Sequence, residues 1–218
     1  MHINHSILLK SFIRYLLPFF QIIHTLNIYS IYLYIIYLNA ILIYTKYIFQ
    51  RITMYKSIAL MRTLFNSLNI SALDHLTYET YNAEYESYCF QINHCSYRPR
   101  LAKKTPTKSG YFVVFWTKDY DNNNRPFTYQ EAKDILIITV LDHTHKGLFI
   151  IPKSELLAQR LLYSENNKGK MAMRVYPPWE VNLNPSAQKS QKWQTQYFID
   201  LTHTTDLHLL KKLMTVED

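Results

Sequence analysis

From Tyr55 onward the spacing of apolar and polar positions separates helices from strands. Tyr55 to Leu68 places Ile58, Met61, Phe65 and Leu68 on one helical stripe, which predicts an amphipathic helix. Ser71 to Tyr81 reads as a second helix, with Ser71 as its cap and Asp74 near its positive end. Three strand-like runs follow at Glu86–Ile92, Tyr97–Ala102 and Tyr111–Trp116. The last (YFVVFW) has no charged position and is expected to be a central strand covered on both faces. Asp119 to Pro126 reads as a polar loop. Ile135–Leu141 is a further buried strand, paired across the His-Thr-His-Lys-Gly turn with Gly147–Ile151. A helix is expected from Pro152 to about Tyr163, and a strand at Met171–Tyr176, stopped by Pro177 and Pro178. Helices are then expected at Pro185–Ile199, with Ala187, Trp193 and Phe198 inward, and at Leu207–Met214. This order predicts one α/β (α+β) domain in which helices flank a mixed central β-sheet.

Residues 1–53 have a different texture. They hold Lys10, Arg14, Lys46 and Arg51, no Asp or Glu, no Gly or Val, and one proline, Pro18. They carry half of the chain's net charge of +8 and are dominated by Ile, Tyr, Leu, Phe and Asn, a low-complexity bias. A membrane helix over Ile28–Phe49 is long enough, but Tyr recurs throughout it and Asn39 and Lys46 interrupt it. A secretory signal lacks its small-residue cleavage site. The bias toward residues encoded by A/T-rich codons favours a spurious or dispensable upstream extension, with Met54 or Met61 as the true start. The working domain is therefore placed at residues 54–218, with no stable membrane association of its own.

With 48% apolar residues the chain can build a core, and two Cys in 218 residues exclude a disulfide scaffold. No P-loop, dinucleotide fingerprint or Gly-x-Ser-x-Gly occurs, which removes the commonest motif-bearing enzymes. Cys89, His94 and Cys95 read as strand-end residues of a reduced, cytoplasmic protein. The net positive charge points to an anionic partner.

The densest chemical signal is Tyr97–Gly110, where Arg98, Arg100, Lys103, Lys104 and Lys108 occur without an acid. On a strand Arg98 and Arg100 share a face and would grip phosphate or carboxylate bidentately. The bland alternative is a solvated edge hairpin, where lysines also oppose aggregation. All three glycines adjoin or lie near lysine, at Lys108-Ser-Gly110, Lys146-Gly147 and Lys168-Gly169-Lys170. Lys168, Lys170, Arg174 and Lys192 add cations beside Tyr176 and Trp179, a mixture suited to phosphate tracking with base stacking. Trp179 and Trp193 also fit a core role.

Catalytic material is thinner. Glu84 and Glu86 would share a strand face and, with Lys103, suggest a magnesium-dependent nuclease, but the Glu-x-Lys pair such sites use is replaced by Arg98-Pro-Arg100. Asp119 to Gln130 lacks the Gly and Glu that a calcium loop needs, and His143 and His145 read as a hairpin turn. No metal site and no cofactor are expected unless the nuclease alternative holds.

Taken together, Asn82-Ala-Glu84-Tyr-Glu86, Arg98-x-Arg100-x-Ala-Lys-Lys-Thr-Pro106, Lys108-x-Gly-Tyr-Phe-Val-Val-Phe-Trp116, Lys168-Gly-Lys-Met-Ala-Met-Arg174-Val-Tyr-Pro-x-Trp179 and Ala187-Gln-Lys-x-Gln191-Lys-Trp193-Gln194 resemble the MepB-like family over about residues 60–201. The resemblance implies a small bacterial cytosolic protein that accompanies a multidrug efflux pump and its regulator. It implies no established catalytic set and suggests nucleic-acid binding. Residues 1–53 lie outside it. The expected function is phosphate-backbone binding through a groove lined by the Arg98–Lys108 hairpin and the Lys168–Arg174 segment. A metal-dependent phosphodiesterase and a small-anion accessory to efflux stand as alternatives, and protein partners stay open.

Overall fold

The Ile58–Met61–Phe65 stripe forms helix α1 (Lys56–Ser67), which buries Ile58, Met61, Leu64 and Phe65, while Leu68 falls just past its end. No acid lies in its first turn. Glu86, far along the chain, supplies the missing acceptor: its two carboxylate oxygens take the N–H groups of Lys56 and Ser57 at 2.9 and 2.8 Å. A carboxylate there satisfies orphan donors and meets the positive end of the helix dipole.

The computed structural model describes residues 32–43, 45, 55–70 and 76–214. The chain divides into two compact units, Met1–Tyr55 and Lys56–Asp218. In the first, residues 32–43 are helical, with Leu33, Ile36, Tyr37 and Ile43 exposed; residue 45 apart, the rest of the expected 28–49 span lies outside the described residues. Among the described residues no helix is long and apolar enough to cross a membrane.

In the second unit the sheet is organised around an eleven-residue strand, β3 (Cys95–Thr105), which follows β1 (Thr77–Tyr78) and β2 (Tyr88–Ile92). The start of β3 pairs antiparallel with β2 across a tight turn in which Asn93 takes a positive φ of 51°. Its middle runs parallel to β7 (Ile135–Leu141), from Tyr97 opposite Ile135 to Ala102 opposite Val140. Its end turns back into β4 (Lys108–Val114), pairing Lys103 with Phe112. Between β4 and β7 lies a small hairpin of β5 (Trp116–Lys118) and β6 (Asn124–Pro126). Strand β8 (Lys146–Pro152) pairs antiparallel with β7. Helix α2 (Lys153–Ala158) leads to β9 (Ala172–Val175), which pairs with β4. Helix α3 (Pro185–Gln194), strand β10 (Phe198–Asp200) against β8, and helix α4 (Leu207–Met214) complete the unit. This is the expected mixed sheet flanked by helices.

Strand β7 is the fully covered strand. Alternate side chains point to opposite faces. Leu136, Ile138 and Val140 join Phe149, Ile151, Phe127, Leu156 and Leu162 in one core, while Ile135, Ile137, Leu148 and Ile150 on the other parity are equally buried. Helices α1 and α4 pack on β3 and β8. Strand β4, read from sequence as covered on both sides, instead alternates: Tyr111 and Val113 are buried, Phe112 and Val114 half-buried, because β9 beyond it carries no further strand.

Four elements depart from the sequence reading. Thr77–Tyr78 is strand β1 where helix was expected over 71–81; Ser71 and Asp74 lie outside the described residues. The expected loop at Asp119–Pro126 forms the turn and one arm of the β5–β6 hairpin, closed by the Asp119 carboxylate accepting Asn123 N–H at 2.7 Å. Helix α2 stops at Ala158, and Arg160 then takes a positive φ of 56°. Helix α3 stops at Gln194, and Phe198 and Ile199 continue as β10. That last strand depends on Gly147, where a Cβ would lie 2.3 Å from the Phe198 ring and 2.8 Å from Ile199 O. Gly147→Ala is expected to cost about 1–3 kcal/mol through this overpacking, read as a lower urea midpoint with unchanged slope.

Candidate anion-binding site

Arg98 and Arg100 do share a face of β3, as period two requires, but it is the inner face. Arg98 is 8% exposed and Arg100 fully buried. Both are held by Glu79, just after β1. Arg98 Nε donates to Oε1 at 3.0 Å and Arg100 Nη2 donates to Oε2. Arg98 also stacks over the Phe127 ring at 3.8 Å and donates to Glu131 O, and Arg100 Nη1 donates to Pro99 O at 2.8 Å. Burial pushes the Glu79 carboxyl up, but Arg100 and Arg98 outweigh it and the net displacement is downward. These two arginines are therefore structural ions inside the core, and neither lines the clefts described below.

Glu84 and Glu86 do not share a strand face. Glu86 is buried on the start of α1, Glu84 is exposed in the 3-10 turn Ala83–Tyr85, and neither lies on a strand. Lys103 Nζ sits 4.7 Å over the Tyr85 ring. Among the described residues no group of three or more His, Cys, Asp or Glu is placed to hold a metal ion.

Other cations do converge. In the β4–β9 register Phe112 lies opposite Arg174. The guanidinium of Arg174 spans the turn that joins β3 and β4, donating to Thr105 Oγ1 at 2.6 Å and to the carbonyls of Ser109 and Gly110 at 3.2 and 3.3 Å. One cleft of about 440 Å³ is lined by Thr107, Lys108, Ser109, Arg174, Tyr176 and the start of α3. A second, of about 190 Å³, is lined by Lys170, Met173, Arg174, Tyr176, Ser190 and Trp193, among others. Arg174 and Tyr176 belong to both and form the partition between them. Neither lining includes a carboxylate. Gly110, at φ 73°, lets Tyr176 close over the turn, since a Cβ there would lie 2.6 Å from the ring.

Gln194 ties α3 to the edge of β9. Its Oε1 accepts from Tyr176 N and its Nε2 donates to Arg174 O, both at 2.9 Å, so one side chain replaces a neighbouring strand at the edge of β9. Sequence reasoning missed this, because a single buried glutamine on a helix carries no pattern. Lys168 and Lys192 are exposed on the segments that lead to β9 and form α3.

The other side of β4 is differently charged. Lys104 Nζ lies 3.1 Å from Asp142 and 3.6 Å from Glu180, so its charge is already paired. Asp142 accepts Tyr111 Oη at 2.6 Å, and Trp179 Nε1 donates to the same hydroxyl at 3.4 Å. The Tyr111 hydroxyl, His143 N–H and Lys104 lower Asp142 to about 2, and burial followed by Asp142 raises Tyr111 to about 12. Trp179 stacks on His145 at 4.9 Å and meets Phe198 edge-on. It is thus a packing residue, and the aromatic on the cleft besides Tyr176 is Trp193. The pairing of Lys104 with Asp142 and Glu180 was not visible in sequence because the two acids lie on separate loops.

A mixed sheet with helices on both faces and an acid-free cationic cleft along one edge defines an α/β domain with a candidate anion site. Residues 79–200 match the family model described as MepB-like, and the chain belongs to that family. The match begins at Glu79 and ends with β10. It is also similar to a solved structure described as the crystal structure of MepB, with 42% identity over 69% of this chain and 100% of that one, at a TM-score of 0.61. No curated protein matches the chain.

Removing Glu79 strands two buried guanidiniums. Glu79→Ala is expected to cost about 3–5 kcal/mol in urea unfolding. The Glu79 carboxyl is depressed below its ordinary 4.5 in the folded state, so its contribution is complete above the unfolded value and fades as pH falls through the folded one. Wild type should therefore lose stability below about pH 4.5 more steeply than Glu79→Gln, with the two converging in acid.

Proposed function

We propose that this MepB-like protein binds nucleic acid through its phosphate backbone, along the two clefts between β9 and α3. The observation that supports this reading is the convergence of Lys108, Lys170 and Arg174 on adjoining clefts whose linings hold no carboxylate. Arg174 is fixed by its own hydrogen bonds and supplies a preoriented guanidinium, whereas Lys108 and Lys170 are exposed point charges. Lys168 and Lys192 extend the positive surface on the same segments. Contacts of this kind position a polyanion and carry little sequence information.

Three neutralised phosphates correspond to a log–log salt slope of about −2 on a single strand. In titrations of the full chain against labelled single-stranded oligonucleotides, Lys108→Ala and Lys170→Ala are each expected to weaken binding similarly across sequences and to reduce the slope by about 0.7. Arg62→Ala, on the exposed face of α1, should leave both unchanged. Equal effects from Arg62→Ala, or a flat salt response with binding of inorganic phosphate, would reject the backbone reading.

A further inference from the structure

The smaller cleft adds a feature that phosphate contact does not require. It has about 190 Å³, the space of roughly six waters at their bulk volume, and is bounded by Trp193 on α3 and Tyr176 after β9. Trp193 is half-buried, with an edge-on contact to Tyr197 at 6.5 Å and no stacked aromatic partner recorded among the described residues. Lys170 and Arg174 line the same cleft, and Arg174 and Tyr176 also face the larger one that holds Lys108. A flat ring beside Trp193 would thus adjoin a phosphate beside Arg174 and Lys108.

Three polar side chains of the small cleft, Gln159, Ser190 and Gln194, are already engaged. Gln159 Nε2 donates to Glu155, Ser190 Oγ donates to Ser186 O, and both ends of the Gln194 amide hold β9. The site offers an aromatic face with few free groups to read a base edge. Stacking of that kind accepts any base.

Resting on the backbone reading above, we propose that the occupant is a single-stranded polynucleotide: one unpaired base stacks in the Trp193 cleft while the adjoining phosphate lies against Arg174 and Lys108. In a duplex every base is stacked and paired, and entering the cleft would require its extrusion, which costs a few kcal/mol. A single strand has little of this cost. The preference is for strandedness, without preference for base identity.

The test compares the full chain's affinity for three oligonucleotides of equal length at one low salt concentration: a mixed-sequence single strand, its duplex, and a single strand abasic throughout its central part. The intact single strand is expected to bind about tenfold more tightly than the other two, the scale of one base–aromatic stack. Trp193→Ala should lower the single strand to the duplex level, and Trp193→Phe should restore most of the difference, which separates loss of stacking from loss of fold. Duplex and abasic strand binding as tightly as the intact single strand would overturn this inference and leave the backbone reading in place. Failure of all three to bind would overturn both.

Discussion

The Glu79 carboxylate gripping two arginines of β3 is the constraint on which the arrangement of the sheet rests. A guanidinium in the core is tolerable only with its donors satisfied and its charge opposed. One carboxylate offsets one of the two charges. The other is eased by the Phe127 face and by the carbonyls of Pro99 and Glu131. The segment after β1 and the loop at residues 127–131 must therefore close around the first half of β3. Arg100 Nε has no hydrogen-bond partner among the described residues, so even this shell is incomplete. Any change that moves Glu79 exposes the remaining deficit.

That constraint divides β3 in two. Up to Ala102 the strand is interior, parallel to β7 and covered on both faces. From Lys103 its side chains become exposed and its partner becomes β4. The choice of cation follows the same division. Guanidinium is weakly hydrated and forked, so arginine can be buried against a carboxylate, whereas the strongly hydrated ammonium of lysine stays at the surface. Arg174 is intermediate: half-buried, it braces the β3–β4 turn while lining both clefts.

Much of this was legible in the sequence where one element decides its own fate. Helix α4 and strand β7 follow from local pattern, and α1 differs by a residue at each end. The shared face of Arg98 and Arg100 was legible too. That it is the inner face was not, because the deciding partner is a glutamate 19 residues before Arg98, in a segment (71–81) whose sequence reads as a helix. Strand β10 escaped because three residues become a strand only when Gly147 leaves room for Phe198. Lys108 and Arg174 were both visible as cations, but their meeting depends on the β4–β9 register that sets Phe112 opposite Arg174.

The two sides of β4 show how the charge left after folding is directed. On one side Lys104 is answered by Asp142 and Glu180, and Tyr111 and Trp179 close the space over them. On the other, Arg174 donates only to neutral oxygens, and Lys108 and Lys170 line clefts without a carboxylate. Glu180 joins the sides mechanically, since its second oxygen accepts Gly110 N at 2.9 Å and Gly110 O in turn accepts from Arg174. The two acids thus outweigh the single Lys104 charge on one flank of the turn and fix its backbone, which orients the carbonyls that hold Arg174 on the opposite flank. The excess positive charge around the turn is therefore confined to the β9–α3 side, where Lys108, Lys170 and Arg174 line clefts without a carboxylate.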